Sequence, residues 1–252
     1  MTAALKLRNQ TNMVIGYHLG PSADLARSGE DHLIGMLAPT CRTFIDVGAN
    51  VGDWSAAFIS AAPRAQGLLF EPSYGASVRL KQRFRNMSTV EIVEAAVGNC
   101  HGSMPFYEEP GAGVRSSLIA SEGGDRVRKR SVTVTTIDTE LAKRGWEGVD
   151  FLKVDAEGYD SKVLQGASSL IRERRVRLIQ FEYNSTWAAA GDTLAKAIKT
   201  LEGNKYSVYL VRPEGLFSFD YGRYGEYYSY SNYLAVSPDS IAHVSSMLKG
   251  WI

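Results

Sequence analysis

The chain has 252 residues, 44% of them hydrophobic and 22% charged, and its 28 Lys and Arg against 27 Asp and Glu leave a formal net charge of +1. That composition excludes wholesale disorder and lacks the strongly basic footprint of a dedicated nucleic-acid binder. Cys41 and Cys100 are too few for a disulfide framework or, alone, for a zinc site, so they read as reduced, mostly structural thiols.

No apolar run approaches the roughly 20 residues a bilayer span requires. Arg8, Asn9, Gln10 and Asn12 break the N-terminal stretch too often for the core of a signal peptide. The expectation is a cytoplasmic monomer or small homo-oligomer with no membrane span and no nucleic-acid partner.

In chain order, residues 1–42 read as an N-terminal helical extension, with a helix over 24–37, that could cap an acceptor site. A buried strand follows at Thr43–Val47, then a glycine-rich turn and a helix from Asp53 to Ala62, ended by Pro63. Gly67–Glu71 is the second strand, Ser73–Arg85 a helix, and Val90–Val97 a third strand. Residues 98–131 hold too much Gly and Pro for a long helix, so 98–135 reads as an inserted hairpin pairing 103–107 with 131–135. The strand–helix rhythm resumes with a strand at 151–154, a helix at 161–173, a strand at 176–182 and a helix at 192–201. Two late strands, 206–211 and 230–236, have no comparable helix between them, so one of them is expected to be antiparallel. Residues 43–240 form the domain and 241–252 a C-terminal tail. This alternation implies an α/β fold, an open and mostly parallel sheet with helices on both faces. Ligands bind such sheets beyond the carboxyl ends of the strands.

After the first strand the chain reads DVGANVGDW from Asp46 to Trp54. Gly48 and Gly52 allow a tight turn and close backbone approach, and the helix that follows offers unpaired N–H groups. Glu71, ending the second strand, is placed to accept hydrogen bonds from both ribose hydroxyls of a nucleoside cofactor. A dinucleotide would want a G-x-G-x-x-G turn; here the pattern is G-x-N-x-G, and Asp53 would repel a diphosphate. Asp46 could instead receive the amino group of S-adenosylmethionine through the loop or a water, so the residues favour the methyl donor. A glycine-rich turn with no ligand is the plain alternative. The candidate cofactor-binding residues are Asp46, Gly48, Ala49, Asn50, Gly52, Trp54, Glu71, Pro72, Ala96 and Asp155.

The run FIDVGANVGDWS over residues 44–55 and FEPS over 70–73 resemble the opening of the FkbM family of S-adenosylmethionine-dependent methyltransferases. So do EAAVG over 94–98, VTTID over 134–138, LKVDAEGYD over 152–160 with VLQG over 163–166, FEY over 181–183 and SNYLA over 231–235. The resemblance runs in order from about residue 43 to 236; Asp160 stands where the family often has Glu. It implies a class I methyltransferase, Rossmann-like sheet of seven strands with the last antiparallel, and Ala96 beside the adenine. It also implies O-methylation of a hydroxyl on a sugar or glycoside, or on a polyketide-type natural product.

An alcohol nucleophile needs a base as its new bond forms. Asp155 and Glu157, at the end of the fourth strand, are the candidates, Asp155 as base or base-orienting group and Glu157 as its helper. Glu182, ending the fifth strand, is a third catalytic candidate on the same rim. Alternatively, Asp155 caps the next helix and Glu157 pairs with Lys153. A divalent cation held by Asp155 and Glu182 is open. His101 and His18 are alternative acceptor-side groups, while His32 and His243 read as helical. Between 217 and 233 stand six tyrosines and two phenylalanines. Tyr224 and Tyr227 are the candidate acceptor-stacking residues, with core packing the alternative. The basic runs at 126–130 and 172–177 read as solvated faces or as contacts to an acidic acceptor. A nicotinamide-dependent oxidoreductase and a non-catalytic S-adenosylmethionine-binding module are the rival functions.

Overall fold

The computed structural model describes residues 6–7, 10–11, 13–14, 28–108, 116–119 and 128–252. His18 and Arg126, most of the N-terminal extension and the tip of the hairpin lie outside the described residues.

The first described helix, α1 (Glu30–Leu37), precedes β1 (Thr43–Val47), α2 (Asp53–Ala61), β2 (Gln66–Phe70), α3 (Tyr74–Phe84) and β3 (Val90–Val93). Next come β4 (Ala96–Val97), β5 (Gly102–Glu108), β6 (Arg128–Thr135), α4 (Ile137–Arg144) and β7 (Val149–Val154). The second half holds α5 (Asp160–Gly166), α6 (Ser168–Arg172), β8 (Val176–Tyr183), α7 (Thr186–Ala189) and α8 (Leu194–Gly203). It ends with β9 (Ser207–Arg212), β10 (Gly215–Ser218), α9 (Tyr221–Tyr224), β11 (Ser231–Val236), α10 (Ile241–Val244) and β12 (Leu248–Trp251).

Among the described residues the main sheet has nine strands, in the order β12-β10-β9-β11-β8-β7-β1-β2-β3. The seven from β3 to β9 are the expected sheet, with β1, β2, β3, β7 and β8 in parallel register. β11 runs antiparallel to both neighbours, as the late strands implied. The count differs because β10 folds back on β9 and β12 adds beside β10, so residues 241–252 extend the sheet edge instead of trailing from it.

Central strands are apolar on both faces because helices cover both. Alternation sends Ile45, Val47, Leu68, Phe70, Leu152, Val154, Ile179 and Phe181 into one core layer. Phe44, Leu69, Phe151 and Leu178 enter the other, packed with residues of α1 and α2. Two predicted elements divide. The third strand breaks where Ala95 N–H donates to Val93 O, and β4 leaves the main sheet to pair with β6. β6 pairs antiparallel with β5, close to the predicted hairpin register. The predicted 161–173 helix ends at Gly166 and restarts as α6, where the Asp138 carboxylate accepts from Ser169 and Leu170 N–H. No helix among the described residues is long and apolar enough to cross a membrane.

Candidate active site

The carboxyl ends of β1, β2, β7 and β8 bring the acids to one rim. After β1 the turn runs through left-handed Gly48 (φ 80°), Asn50 (φ 49°) and Gly52 (φ 85°). Gly48 and Ala49 N–H both donate to Phe70 O at 3.0 Å, which seats the turn against the end of β2. A Cβ on Gly48 would lie 1.8 Å from Asp155 O, and one on Gly52 2.6 Å from the Phe84 ring. Close approach to backbone thus requires glycine at position 48, while at 52 the left-handed φ favours it and the facing side chains can yield.

Glu71 closes this turn. Its two carboxylate oxygens accept at 2.7 Å from the N–H groups of Asn50 and Ser73. Burial pushes its pKa up to about 7, against the pull of those two donors. Beside it lies a cleft of about 130 Å³ whose walls include Pro72, Ala96, Phe106 and Leu118. A second, wider cleft of about 960 Å³ is lined by Ala49, Trp54, Glu30, Glu182 and Tyr230, among others. Gly48, Asn50, Asp155 and Glu157 line both, so the clefts meet at the ends of β1 and β7.

At that junction Asp155 Oδ2 accepts from Lys153 Nζ at 3.0 Å. The strand does not continue as an extended chain past Asp155: Glu157 (φ 50°) and Gly158 (φ 92°) are left-handed. No side chain caps α5, so Asp155 does not cap it; the Asp160 carboxylate instead ties the turn before the helix, accepting from Ala156 N–H at 3.2 Å and Gly158 N–H at 3.0 Å. Burial, and then Asp155, push the Asp160 pKa up to about 7. Glu182 accepts from the Asn184 side-chain amide. Burial holds its pKa well above the carboxylate range, and Asp155, Asp160 and Glu157 add to that.

Other expected residues fall elsewhere. Asp46 lines neither cleft: alternation along β1 turns it with Phe44 toward α2, where it is fully buried and accepts from Ser55 Oγ at 2.6 Å. Gly52 also lines neither cleft. His101 is an exposed side chain bonded to Thr139 Oγ1 at 2.8 Å, away from both. Tyr227 is core, not pocket: it is 5% exposed, and its hydroxyl bonds Ser231 Oγ and Tyr233. Tyr224 stacks on Phe219 with ring centroids 5.4 Å apart and also lies off the clefts. Their neighbours Tyr228, Ser229 and Tyr230 line the second cleft instead. The left-handed Tyr228 (φ 48°) resets which side chains of the tyrosine run face inward, so Tyr228 and Tyr230 line the cleft and Tyr224 and Tyr227 do not. Sequence reasoning missed Glu30 and named Lys153 only as a partner for Glu157, whereas its ammonium pairs with Asp155 and Asp46; a Lys within an otherwise apolar buried strand was the available signal. Arg175 bonds Trp146 O, and Arg177 bonds Asp150, at the opposite, amino-terminal rim of the strands. Among the described residues no three His, Cys, Asp or Glu converge as a metal-ligand set.

Residues 46–208 match the family described as the methyltransferase FkbM domain. The chain belongs to the FkbM methyltransferase family. It is 24% identical over 183 residues to the 2-O-methyltransferase NoeI of Sinorhizobium fredii, covering 67% of this chain and 74% of that one. It is 26% identical over 183 residues to the methyltransferase sdnD of Sordaria araneosa, covering 61% of this chain and 69% of that one. Among solved structures it resembles the methyltransferase FkbM of Methylobacillus flagellatus KT, with a TM-score of 0.50 at 14% identity. That match covers 92% of this chain but 60% of the solved one, a likeness of fold. Methyl transfer is therefore the chemistry to which the two joined clefts have to be fitted.

Proposed function

We propose that the chain is an S-adenosylmethionine-dependent O-methyltransferase that takes the donor in the narrower cleft and a small-molecule hydroxyl acceptor in the wider one. The observation that carries this is the shared wall: Gly48, Asn50, Asp155 and Glu157 border both clefts, so a group transferred between them crosses at one place. The narrower cleft fits a nucleoside. Ala96, Phe106 and Leu118 offer an apolar wall to a base, and Glu71 offers each carboxylate oxygen a remaining lone pair for a ribose hydroxyl. In this reading the 98–135 insertion walls the donor cleft through Phe106 and Leu118, and the N-terminal extension reaches the acceptor side through Glu30. Oxygen as the acceptor atom agrees with the 2-O-methyl transfer of NoeI and with a rim rich in carboxyls.

Bound in that cleft, S-adenosylmethionine supplies an electrophilic methyl group. The chain's own residues position the hydroxyl, take its proton and keep water out. We assign the proton to Glu182, because a carboxyl held above its ordinary range is a better base near neutral pH. Asp155, tied to Lys153, accepts a hydrogen bond from the acceptor and aims it; Glu157 assists at the same wall.

Thermal melting with S-adenosylmethionine, S-adenosylhomocysteine and NAD tests the donor assignment. A ligand at 100 times its Kd adds about 2.7 kcal/mol, roughly 5–10 °C for a domain of this size. The expected result is a shift with the two sulfur nucleosides that Glu71→Ala abolishes. A shift with NAD alone would overturn the reading. Methyl transfer from the ¹³C-labelled donor then reports the acceptor atom, since a methoxy carbon resonates apart from N- and S-methyl carbons.

A further inference from the structure

The charges lining the wider cleft do not balance. Glu30, Asp53, Asp155, Glu157 and Glu182 line it, against Lys153 and Arg79. Lys153 is already engaged, with Asp155 Oδ2 at 3.0 Å and Asp46 Oδ1 at 3.5 Å, and Asp53 is held by Arg83. Asp155 and Glu157 stand at the wall shared with the donor cleft, where the sulfonium of a bound donor would offset them. Glu30 and Glu182 line the wider cleft alone.

These two acids are satisfied by neutral groups. Glu30 accepts from Gln180 Nε2 and, at 3.0 Å, from Ser28 Oγ, and Glu182 accepts from Asn184. Gln180 and Glu182 share one face of β8 by alternation, which brings Glu30 toward Glu182, and the Tyr230 hydroxyl feels both carboxyls. Burial raises both acids above their ordinary range. Lys153 reaches Glu30 electrostatically but is paired with Asp155 and Asp46, so the acids of this cleft still outnumber its cations, and buried carboxyls whose hydrogen-bond partners are neutral gain when a further cation enters. The acids do not converge as metal ligands, so the cation is a dispersed one. An ammonium offers three separated N–H donors, and the Tyr228 and Tyr230 rings beside it suit a cation.

We propose that the acceptor carries a protonated amine near its hydroxyl, an amino sugar or amino alcohol, with the ammonium seated on Glu30 beside the Tyr230 ring and the hydroxyl left to Glu182. This rests on the reading of the wider cleft as the acceptor site. In the transfer, an oxygen lone pair forms the C–O bond as the C–S bond breaks. The sulfur keeps the electron pair of that bond, and the hydroxyl proton goes to Glu182.

The test compares glucosamine, glucose, glucuronate and magnesium chloride as probes, with binding followed by saturation-transfer NMR and calorimetry, both without and with S-adenosylhomocysteine. Glucosamine is expected to bind at least about tenfold more tightly than glucose, a difference of about 1.4 kcal/mol. Glucuronate should bind more weakly still. Glu30→Gln should erase most of the amine preference while the melt stays cooperative, and Glu30→Asp should keep part of it. Equal binding of the three sugars, a preference for glucuronate, binding of none, or tight magnesium binding that displaces glucosamine would each overturn the proposal. Amine preference without any response to S-adenosylhomocysteine would uphold it and sink the donor assignment instead.

Discussion

The Lys153 ammonium lies 3.0 Å from Asp155 and 3.5 Å from Asp46, inside the sheet, with its side chain only 6% exposed. It also sits 5.6 Å from the centroid of the Trp54 ring. The cross-strand register explains the second pair: Asp46 on β1 stands opposite Lys153 on β7. One cation therefore neutralises a buried acid under the turn and fixes the carboxylate at the junction of the clefts. Lys153→Met should lower stability by about 3–5 kcal/mol, because it leaves buried charge uncompensated. The double variant Asp46→Asn/Lys153→Met should recover a large part of that loss in urea titrations. A single variant within about 0.5 kcal/mol of the parent would refute this account.

Gly48 is constrained from within. Its φ of 80° and the 1.8 Å that would separate a Cβ from Asp155 O mean that alanine must push β1 and β7 apart at their ends. Gly48→Ala is expected to cost about 2–4 kcal/mol and to disturb both clefts. Gly52→Ala meets the tips of Phe84 and Leu80, side chains that can yield, and should cost about half as much. Denaturant midpoints for the two variants check the order.

The tyrosine run divides between stability and recognition. Tyr227→Phe removes a buried hydroxyl bonded to Ser231 and Tyr233, and should cost about 1–2 kcal/mol with the acceptor KM unchanged. Tyr228→Ala removes a ring that lines the wider cleft, so it should raise the acceptor KM severalfold and barely move the melting midpoint. Glu226 should act between these cases. Its carboxylate takes the Tyr183 and Tyr221 hydroxyls and the Leu194 and Ala195 N–H groups, which ties the 225–230 loop to β8 and α8.

The parallel sheet and the rim of acids were legible because alternating apolar runs and glycine-rich turns are local signals. Glu71 and Asp155 were placed from strand ends and Ala96 from the family resemblance, and each borders a cleft. Alternation along β1 was equally readable and would have put Asp46 under α2 with Phe44. What sequence could not supply was side-chain direction after irregular backbone. The turn at Ala95, the left-handed Glu157 and the left-handed Tyr228 each reset which face the following residues present. Edge strands β10 and β12 are short and partly exposed, so no periodicity announced them.

Glu182 supplies the sharpest pH test. It is faced by Asp155 and Glu157 from the end of β7, Asp160 from α5, Tyr230 from the loop before β11 and Asn184 from the end of its own strand. Burial and those acids raise its pKa, so the folded protein holds a proton that the unfolded chain, near 4.3, has lost. A base works in its deprotonated form, so kcat/KM should climb through a limb displaced above the ordinary carboxylate range. Glu182→Gln should cut kcat by about 10²–10⁴ and remove that limb, while Glu182→Asp should keep a displaced one. Stability carries an independent reading of the same group. Between the unfolded and folded pKa values the native state binds the extra proton, so stability falls as pH rises through that window and levels off above it. Glu182→Gln should make this slope shallower by one group's share even without any acceptor present, leaving the share of Glu30, Glu71 and Asp160 in place. A rate limb lost without a change in that slope would mean that the titrating base is another group, with Asp155 the first to test.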